Sequence, residues 1–260
     1  MVIKKKLIGY LILLLGDINP LLQIQQAYIA DLGIHPQYWG KFLWRPLLEK
    51  ACELSRKAGF YFLGAHVTKE NQRSYKIAKR FLHFQSIGYQ SVFILEKEET
   101  APDDVKIFKS IEELPQEEME FFFKFLQENF ILRADLCGFS NFTAFASHWK
   151  ESFERVSRLF KNQNLYLLHY RQNEQRCHLL LRLDVFEGTT GEPQGEIIEL
   201  PLEKKTWESG ISKKLLKTAR WLCKKSGLNY LVAHLPHSHD SFIQEEGAVL
   251  ERDEMLKILL

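Results

Sequence analysis

QAYIADLGIHPQYWGKFLWRPLLEKACELSRKAGFYFLGAH, residues 26–66, is the stretch on which the fold turns. Displaced by 168 positions, it lies without a gap on QGEIIELPLEKKTWESGISKKLLKTARWLCKKSGLNYLVAH, residues 194–234. Identical pairs include Leu32/Leu200, Trp39/Trp207, Leu47/Leu215, Leu48/Leu216, Ala51/Ala219, Leu54/Leu222, Lys57/Lys225 and Gly59/Gly227. Leu63/Leu231, Ala65/Ala233 and His66/His234 close the match, with Asp31/Glu199 and Phe62/Tyr230 as similar pairs. Chance gives about one identity in fifteen to twenty positions, so a self-match at one offset indicates two copies of one structural unit. Each copy reads as strand, turn, helix, strand. In the first, Gln26–Ile34 is strand-like and His35–Phe42 is a polar, aromatic loop. Leu43–Ala58 carries apolar residues at helical spacing and Gly59 stops it, before a buried strand at Phe60–Val67. The second copy repeats this as strand Gly195–Leu202, helix Ile211–Ser226 ended by Gly227, and strand Leu228–Leu235. A helix between two strands at this spacing implies a parallel βαβ crossover.

Outward from this pair, Glu70–Leu82 and Ser238–Glu246 read as second helices, and Phe84–Leu95 and Ala248–Leu260 as final strands. The second copy has more in front of it: a strand at Lys106–Glu112, Phe-rich helices at Glu117–Phe130 and Phe142–Lys161, and strands at Leu165–Arg171 and His178–Phe186 around the turn Gln172–Arg176. Glu187–Gly195 is a hairpin loop. The linker Glu96–Asp104 divides the chain into domains 1–98 and 105–260. Shifting Lys106 back by 168 gives a negative position, so the first copy lacks about sixty residues that the second has. Either a start is missing or the first copy is a half-domain completed by its neighbour. At the N-terminus, basic Met1–Lys6 precedes apolar Leu7–Leu15, as in a signal peptide or short anchor. No small-x-small cleavage site follows, and the run is too short to span a bilayer as a helix, so a buried strand is the favoured reading.

Composition agrees with a packed α/β protein. Of 260 residues, 45% are hydrophobic and 13% aromatic, which excludes a disordered or collagen-like chain. With 35 basic against 33 acidic residues the net charge is +2, so nothing demands a nucleic-acid partner. Cys52, Cys137, Cys177 and Cys223 form no CxxC pair and no zinc spacing, and read as reduced thiols of a cytoplasmic protein.

The span Ile29–Leu48, IADLGIHPQYWGKFLWRPLL, resembles the strand-to-helix segment of the GNAT superfamily of acyl-CoA-dependent N-acyltransferases. The resemblance covers about residues 3–95 and, more faintly, 106–260. It implies two GNAT-like units with mixed, partly parallel sheets and flanking helices, the first lacking its N-terminal part. In that family two splayed parallel strands open a wedge, and the next helix N-terminus offers free amides and a positive dipole to the pyrophosphate of coenzyme A. Carried onto this chain, the resemblance assigns cofactor contacts to Leu32, Ile34, Trp39, Gly40, Lys41, Phe42, Leu43 and Asn71 in the first copy. In the second it assigns them to Gly210, Ile211 and Ser212. Asp31 and Glu199 stand where the family often carries a carboxylate base.

The departures are chemical. The family's R/Q-G-x-G-x-G becomes Trp39-Gly40-Lys41-Phe42-Leu43-Trp44, and in the second copy Trp207-Glu208-Ser209-Gly210-Ile211-Ser212. Glycines that admit phosphates are lost, and Glu208 sets a carboxylate near them. The family's late tyrosine falls on Ala78, with Tyr75 one turn earlier, and Asn71 becomes His239 in the second copy. Trp39 and Trp207 are expected to plug their wedges rather than stack on a ligand.

Other candidates have plain readings. Asp31 and Glu199 also suit strand-end caps or ion pairs. His66 and His234 recur and suit a structural hydrogen bond. His234, His237, His239 and Asp240 cluster in HLPHSHD, but Pro236 and the lack of a second cluster argue against a metal, and none is expected. Phe121, Phe122, Phe123, Phe125 and Phe130 suit core, and their spread around the helix suggests an inter-domain or homo-oligomer contact. Lys4–Lys6, Lys204–Lys205 and Lys213–Lys214 are solvated faces. The expected activity is acetyl transfer from acetyl-CoA to a small-molecule or protein amine by direct attack. Its rival is a catalytically inactive GNAT-derived scaffold with a plugged wedge. A peptide-bond-forming enzyme dependent on aminoacyl-tRNA ranks lower, because no pronounced basic tract is present. No membrane partner is expected.

Overall fold

The computed structural model describes residues 2–3, 6–95, 100–139, 165–187 and 190–259, with Glu154, Val156 and Arg158 between them. The helix read at Phe142–Lys161 lies outside the described residues apart from those three. The chain forms two compact units, one of Met1–Ile87 with Arg252–Leu260 and the other of Gly88–Glu251.

In the first unit, β1 (Val2–Ile3) and β2 (Lys6–Leu7) make a small antiparallel pair. The sheet is built from β3 (Gly9–Ile18), β4 (Gln25–Ile34), β5 (Phe62–Thr68) and the last part of β12 (Val249–Ile258). β3 and β4 are antiparallel, β4 and β5 parallel, and β5 pairs antiparallel with Arg252–Ile258 of β12. α1 (Trp44–Lys57) is the crossover between the parallel strands, and Gly59, at φ +84°, ends it in the left-handed conformation that favours glycine. α2 (Gln72–Phe81) follows β5. Ala27, Ile29, Leu48, Leu63, Val67, Ala78, Phe84, Met255 and Leu259 form the core.

In the second unit, β7 (Val105–Phe108), β8 (Leu165–Gln172), β9 (Gln175–Phe186) and β10 (Pro193–Glu199) run antiparallel in sequence. β10 is parallel to β11 (Tyr230–Pro236), which pairs antiparallel with Gly88–Ile94 of β6 (Gln85–Ile94). α3 (Gln116–Leu136) lays Phe122 and Leu126 on Leu165, Leu167, Leu180 and Ile198. The phenylalanine-rich helix is therefore core of this unit. α4 (Lys204–Glu208), α5 (Ile211–Lys225) and α6 (Asp240–Glu245) complete it.

The βαβ reading of both copies holds. The strand read at Lys106–Glu112 is shorter, because Ile111–Glu113 turns into a 3-10 helix whose approach Ser110 caps. The N-terminal apolar run is a strand, but it is an edge and not a buried strand. Leu11 and Leu13 face the core while Tyr10, Ile12, Leu14 and Leu15 are exposed. No helix among the described residues is long and apolar enough to cross a membrane. All four cysteines are free.

Two histidines packed inside the second unit make stability pH-dependent. His169 and His178 are directly opposite on β8 and β9, with Nδ1 atoms 3.3 Å apart. The His178 ring is ringed by Phe121, Phe122 and Phe125. Burial pushes the His169 imidazole down, against the pull of Glu118, and pushes His178 well below the usual 6.5. The folded state then binds fewer protons than the unfolded chain once pH drops below about 6.5, so stability is lost as pH falls. The melting temperature is expected to decline between pH 7.5 and pH 5, and less steeply in His178→Leu. Equal slopes in the two proteins would exclude this pair as the cause.

Candidate functional site

β4 and β5 are bonded only from Ala27–Ile29 to Leu63–Ala65. Beyond these residues they part. A parallel pair that separates leaves its inner N–H and C=O groups unpaired, and the wedge needs something to fill it. In the first unit the wedge is a cavity of about 650 Å³. One wall is Ile29–Ile34 of β4, the other Ala65–Thr68 of β5, and the mouth is framed by Trp39, Gly40, Phe42, Asn71 and Arg73. Leu43 and Trp44, at the start of α1, also line it.

The loop into α1 is shaped to present amides. Tyr38 N–H bonds to His35 O and Trp39 N–H to Pro36 O. Gly40 then takes φ +82° and Phe42 φ +54°. A phenylalanine in the left-handed region costs about 1–2 kcal/mol, strain of the kind that concentrates at functional loops. Phe42 stands where the family pattern has its second glycine, so the backbone keeps the conformation that the lost glycine would have adopted freely. Among the described residues, nothing accepts from the backbone N–H of Gly40, Phe42 or Leu43, and a helix leaves its first N–H groups unpaired at the positive end of its dipole.

Most of the first-copy residues anticipated from the sequence come together here: Asp31, Leu32, Ile34, Trp39, Gly40, Phe42, Leu43 and Asn71 all line the cavity. Trp39 is not a plug. It is 56% exposed, its Nε1–H donates to Ile34 O at 2.8 Å, and this hydrogen bond holds the ring at the rim as a wall. Lys41 lies outside the lining, with Nζ 5.1 Å above the Tyr38 ring. The cation at the mouth is instead Arg73, whose guanidinium sits 4.6 Å over the Trp39 ring. Sequence reasoning missed Arg73; its one signal is its place in the first turn of α2, two residues after Asn71. Asn71 caps that helix, its Oδ1 accepting from Ser74 N–H at 3.1 Å. Tyr75 packs into the core while Ala78 lines the cavity. Asp31 accepts from the Tyr10 hydroxyl at 2.6 Å, which raises the Tyr10 phenol above its usual value. His66 lines the wedge with its ring edge-on to Tyr28 at 5.3 Å.

The second unit repeats the register and fills the wedge. β10 and β11 pair at Gly195–Ile197 with Leu231–Ala233, the first-unit register displaced by 168. Here Trp207 is 1% exposed, donates to Pro201 O at 2.8 Å, and stacks on Phe242 with centroids 5.7 Å apart. His239 Nε2 lies 2.9 Å from Leu202 O. Thus Trp207 is the plug that the sequence predicted, and His239 has a structural partner. Gly210 takes φ +79° at the start of α5, but Ile211 and Ser212 are buried, and the Ser212 hydroxyl donates to Thr206 Oγ1 at 3.0 Å. Glu199 is buried as well. Both its oxygens are held by the Arg133 guanidinium, and Asn129 Nδ2 donates to Oε2 at 2.8 Å. His234 lies 3.8 Å from Glu196.

Residues 1–84 match the model of the acetyltransferase (GNAT) family, a span that holds the open wedge and every residue around it. This chain has the GNAT superfamily fold. Solved structures agree on that fold at low identity. A GNAT from Sphaerobacter thermophilus aligns with TM-score 0.58 and 10% identity, over 96% of this chain and 76% of its own. A GNAT-family acetyltransferase from Colwellia psychrerythraea aligns with TM-score 0.53 and 13% identity, over 99% and 84%. The glucosamine N-acetyltransferase region of a fungal multi-domain GH3 β-N-acetylglucosaminidase gives TM-score 0.61 and 15% identity over 97% of this chain. The present chain spans 32% of that fungal protein. No curated protein matches the sequence. The GNAT fold thus occurs here as two units, one with an open wedge and one with a filled wedge.

Proposed function

We propose that the first unit is an acyl-CoA-dependent N-acyltransferase and that the second, with its filled wedge, is catalytically inactive. The observation that carries this is the open wedge of the first unit, walled by splayed β4 and β5, with the Gly40–Leu43 loop that leads into α1 at its mouth. The fit to coenzyme A is chemical. A long, narrow, largely apolar pantetheine arm suits a slot walled by Ile29–Ile34 of β4 and Ala65–Thr68 of β5. A pyrophosphate suits the N–H groups of Gly40, Phe42 and Leu43, with the Arg73 guanidinium at the mouth. A shallower cavity lined by Arg73, Lys76, Trp44 and Phe81 adjoins this end and suits the nucleotide portion.

Acyl-CoA supplies an activated thioester. The protein's part is to hold it, orient the acceptor amine, and take the proton that the amine releases on attack. In this reading Asp31, a carboxylate lining the wedge, takes that proton. The Tyr10 hydroxyl fixes its orientation. Glu199 has no such role in this reading, because Arg133 and Asn129 occupy its oxygens. The filled second wedge suits the scaffold alternative, and we assign that role to the second unit alone.

Calorimetric titration with acetyl-CoA tests the proposal. One ligand per chain is expected, and Arg73→Glu should weaken it by about tenfold or more, or about 1.4 kcal/mol. Glu208→Ala, at the filled wedge, should leave the affinity unchanged. No heat and no thermal shift at millimolar ligand, with the chain folded, would falsify the proposal.

A further inference from the structure

We propose that the acyl donor of the first unit carries a saturated hydrocarbon chain of medium length in place of acetyl, and that this chain lies against the apolar inner side of the wedge. The inference rests on the acyl-CoA reading above and names the class of acyl group. Its ground is that the two sides of the wedge differ in chemistry. On β3, Leu11 and Leu13 face the core while Tyr10 and Ile12 face away from it. Residues paired across two strands share a face, so Leu32 and Ile29, opposite Leu11 and Leu13, are turned inward. Asp31, opposite Ile12, is turned outward. On β5, Ala65 lies beside inward Ile29, which turns the next residue, His66, outward. The outer side of the wedge is therefore polar, with Asp31, the Tyr10 hydroxyl bonded to it, and His66.

The inner side is hydrocarbon. Leu48, Val67, Ala78, Leu82 and Phe84 line it, and all but Leu82 are buried. They belong to one core with Ile29, which lies at the bottom of the wedge, where β4 and β5 are last bonded, two positions before Asp31. A thioester set beside Asp31 thus has room for a polar amine on one side and meets aliphatic and aromatic carbon on the other. A wall of this kind favours an apolar group and gives a charged one no partner.

The internal repeat accounts for the space. In the second unit Trp207 and Phe242 stack on one another inside the wedge. Displaced by 168, their counterparts are Trp39, turned out to the rim, and Ser74, which lines the cavity. Two rings that fill one wedge are thus absent from the inside of the other, and Ala78 adds a single methyl group to its inner wall. Acetyl places one methyl group against that wall. A longer chain supplies the contacts that the rings make in the second unit.

Calorimetric titration of the full chain with acetyl-, butanoyl- and octanoyl-CoA tests this. Each buried methylene strengthens binding by up to about fourfold. Affinity should rise along the series, and octanoyl-CoA should bind about tenfold or more tighter than acetyl-CoA, with one ligand per chain. Ala78→Leu, which fills the inner wall, should bring those two affinities to within about threefold of each other. Arg73→Glu should weaken all three ligands. Equal affinities, affinities that fall with chain length, or a preference that survives Ala78→Leu overturn the proposal and leave the acyl-CoA reading standing. Octanoyl-CoA binding indifferent to Arg73→Glu also overturns it, because the chain then sits on another surface. The series on the unaltered protein decides by itself should Ala78→Leu fail to fold. Binding of none of the three thioesters sinks both readings.

Discussion

Arg133→Ala is expected to destabilise the second unit by about 3–5 kcal/mol, the cost of leaving a buried carboxylate without its partner. Glu199 is 3% exposed and Arg133 4%, and among the described residues Asn129 supplies the one other side-chain hydrogen bond to that carboxylate. With the guanidinium gone, one amide remains against a full negative charge in the core. Water cannot reach it without opening the packing of α3 on the sheet. A urea titration should show the midpoint falling with its slope retained. The thermal midpoint should drop by roughly 10 °C. The double change Arg133→Met/Glu199→Leu should recover most of the loss, because it removes both charges and keeps volume. Arg133→Ala within 1 kcal/mol of the unaltered protein would show that this pair is not what holds α3 in place.

Asp31→Asn is expected to lower kcat by about 10²–10⁴-fold, the usual range for losing a general base, while acetyl-CoA affinity stays the same. Asparagine keeps the shape and still accepts from the Tyr10 hydroxyl, but it cannot take the proton of an attacking amine. The affinity should hold because the groups proposed to bind the cofactor are the amides of Gly40, Phe42 and Leu43 and the Arg73 side chain. Thiol release from acetyl-CoA over a panel of small amines and peptides provides the rate, and calorimetry provides the affinity. Tyr10→Phe should cost far less, since it removes an orienting hydrogen bond and not the base. If Asp31→Asn turned over at the original rate, the base would lie elsewhere on the wedge. Loss of affinity together with rate would make Asp31 a binding residue instead.

Much of this architecture was legible in the residues. Apolar spacing over Leu43–Ala58 and Ile211–Ser226, each stopped by a glycine at positive φ, marked both crossover helices. The 168-residue offset held down to the hydrogen-bond register of the two parallel pairs. Those features are local or repeat in sequence, and backbone geometry follows from them directly. What the residues could not disclose depended on distant neighbours. Trp39 and Trp207 occupy the same repeat position, yet one lies at a rim under Arg73 and the other is buried against Phe242. Asp31 and Glu199 are also equivalent, but only the second has an α3 to bring Arg133 and Asn129 to it. The final strands of the two repeats read as strands and no more. In the structure β12 completes the sheet of the first unit and β6 that of the second. Backbone hydrogen bonding is nearly indifferent to side-chain identity. Periodicity can therefore announce a strand, but only the packing around it selects its partner, and with it which wedge stays open.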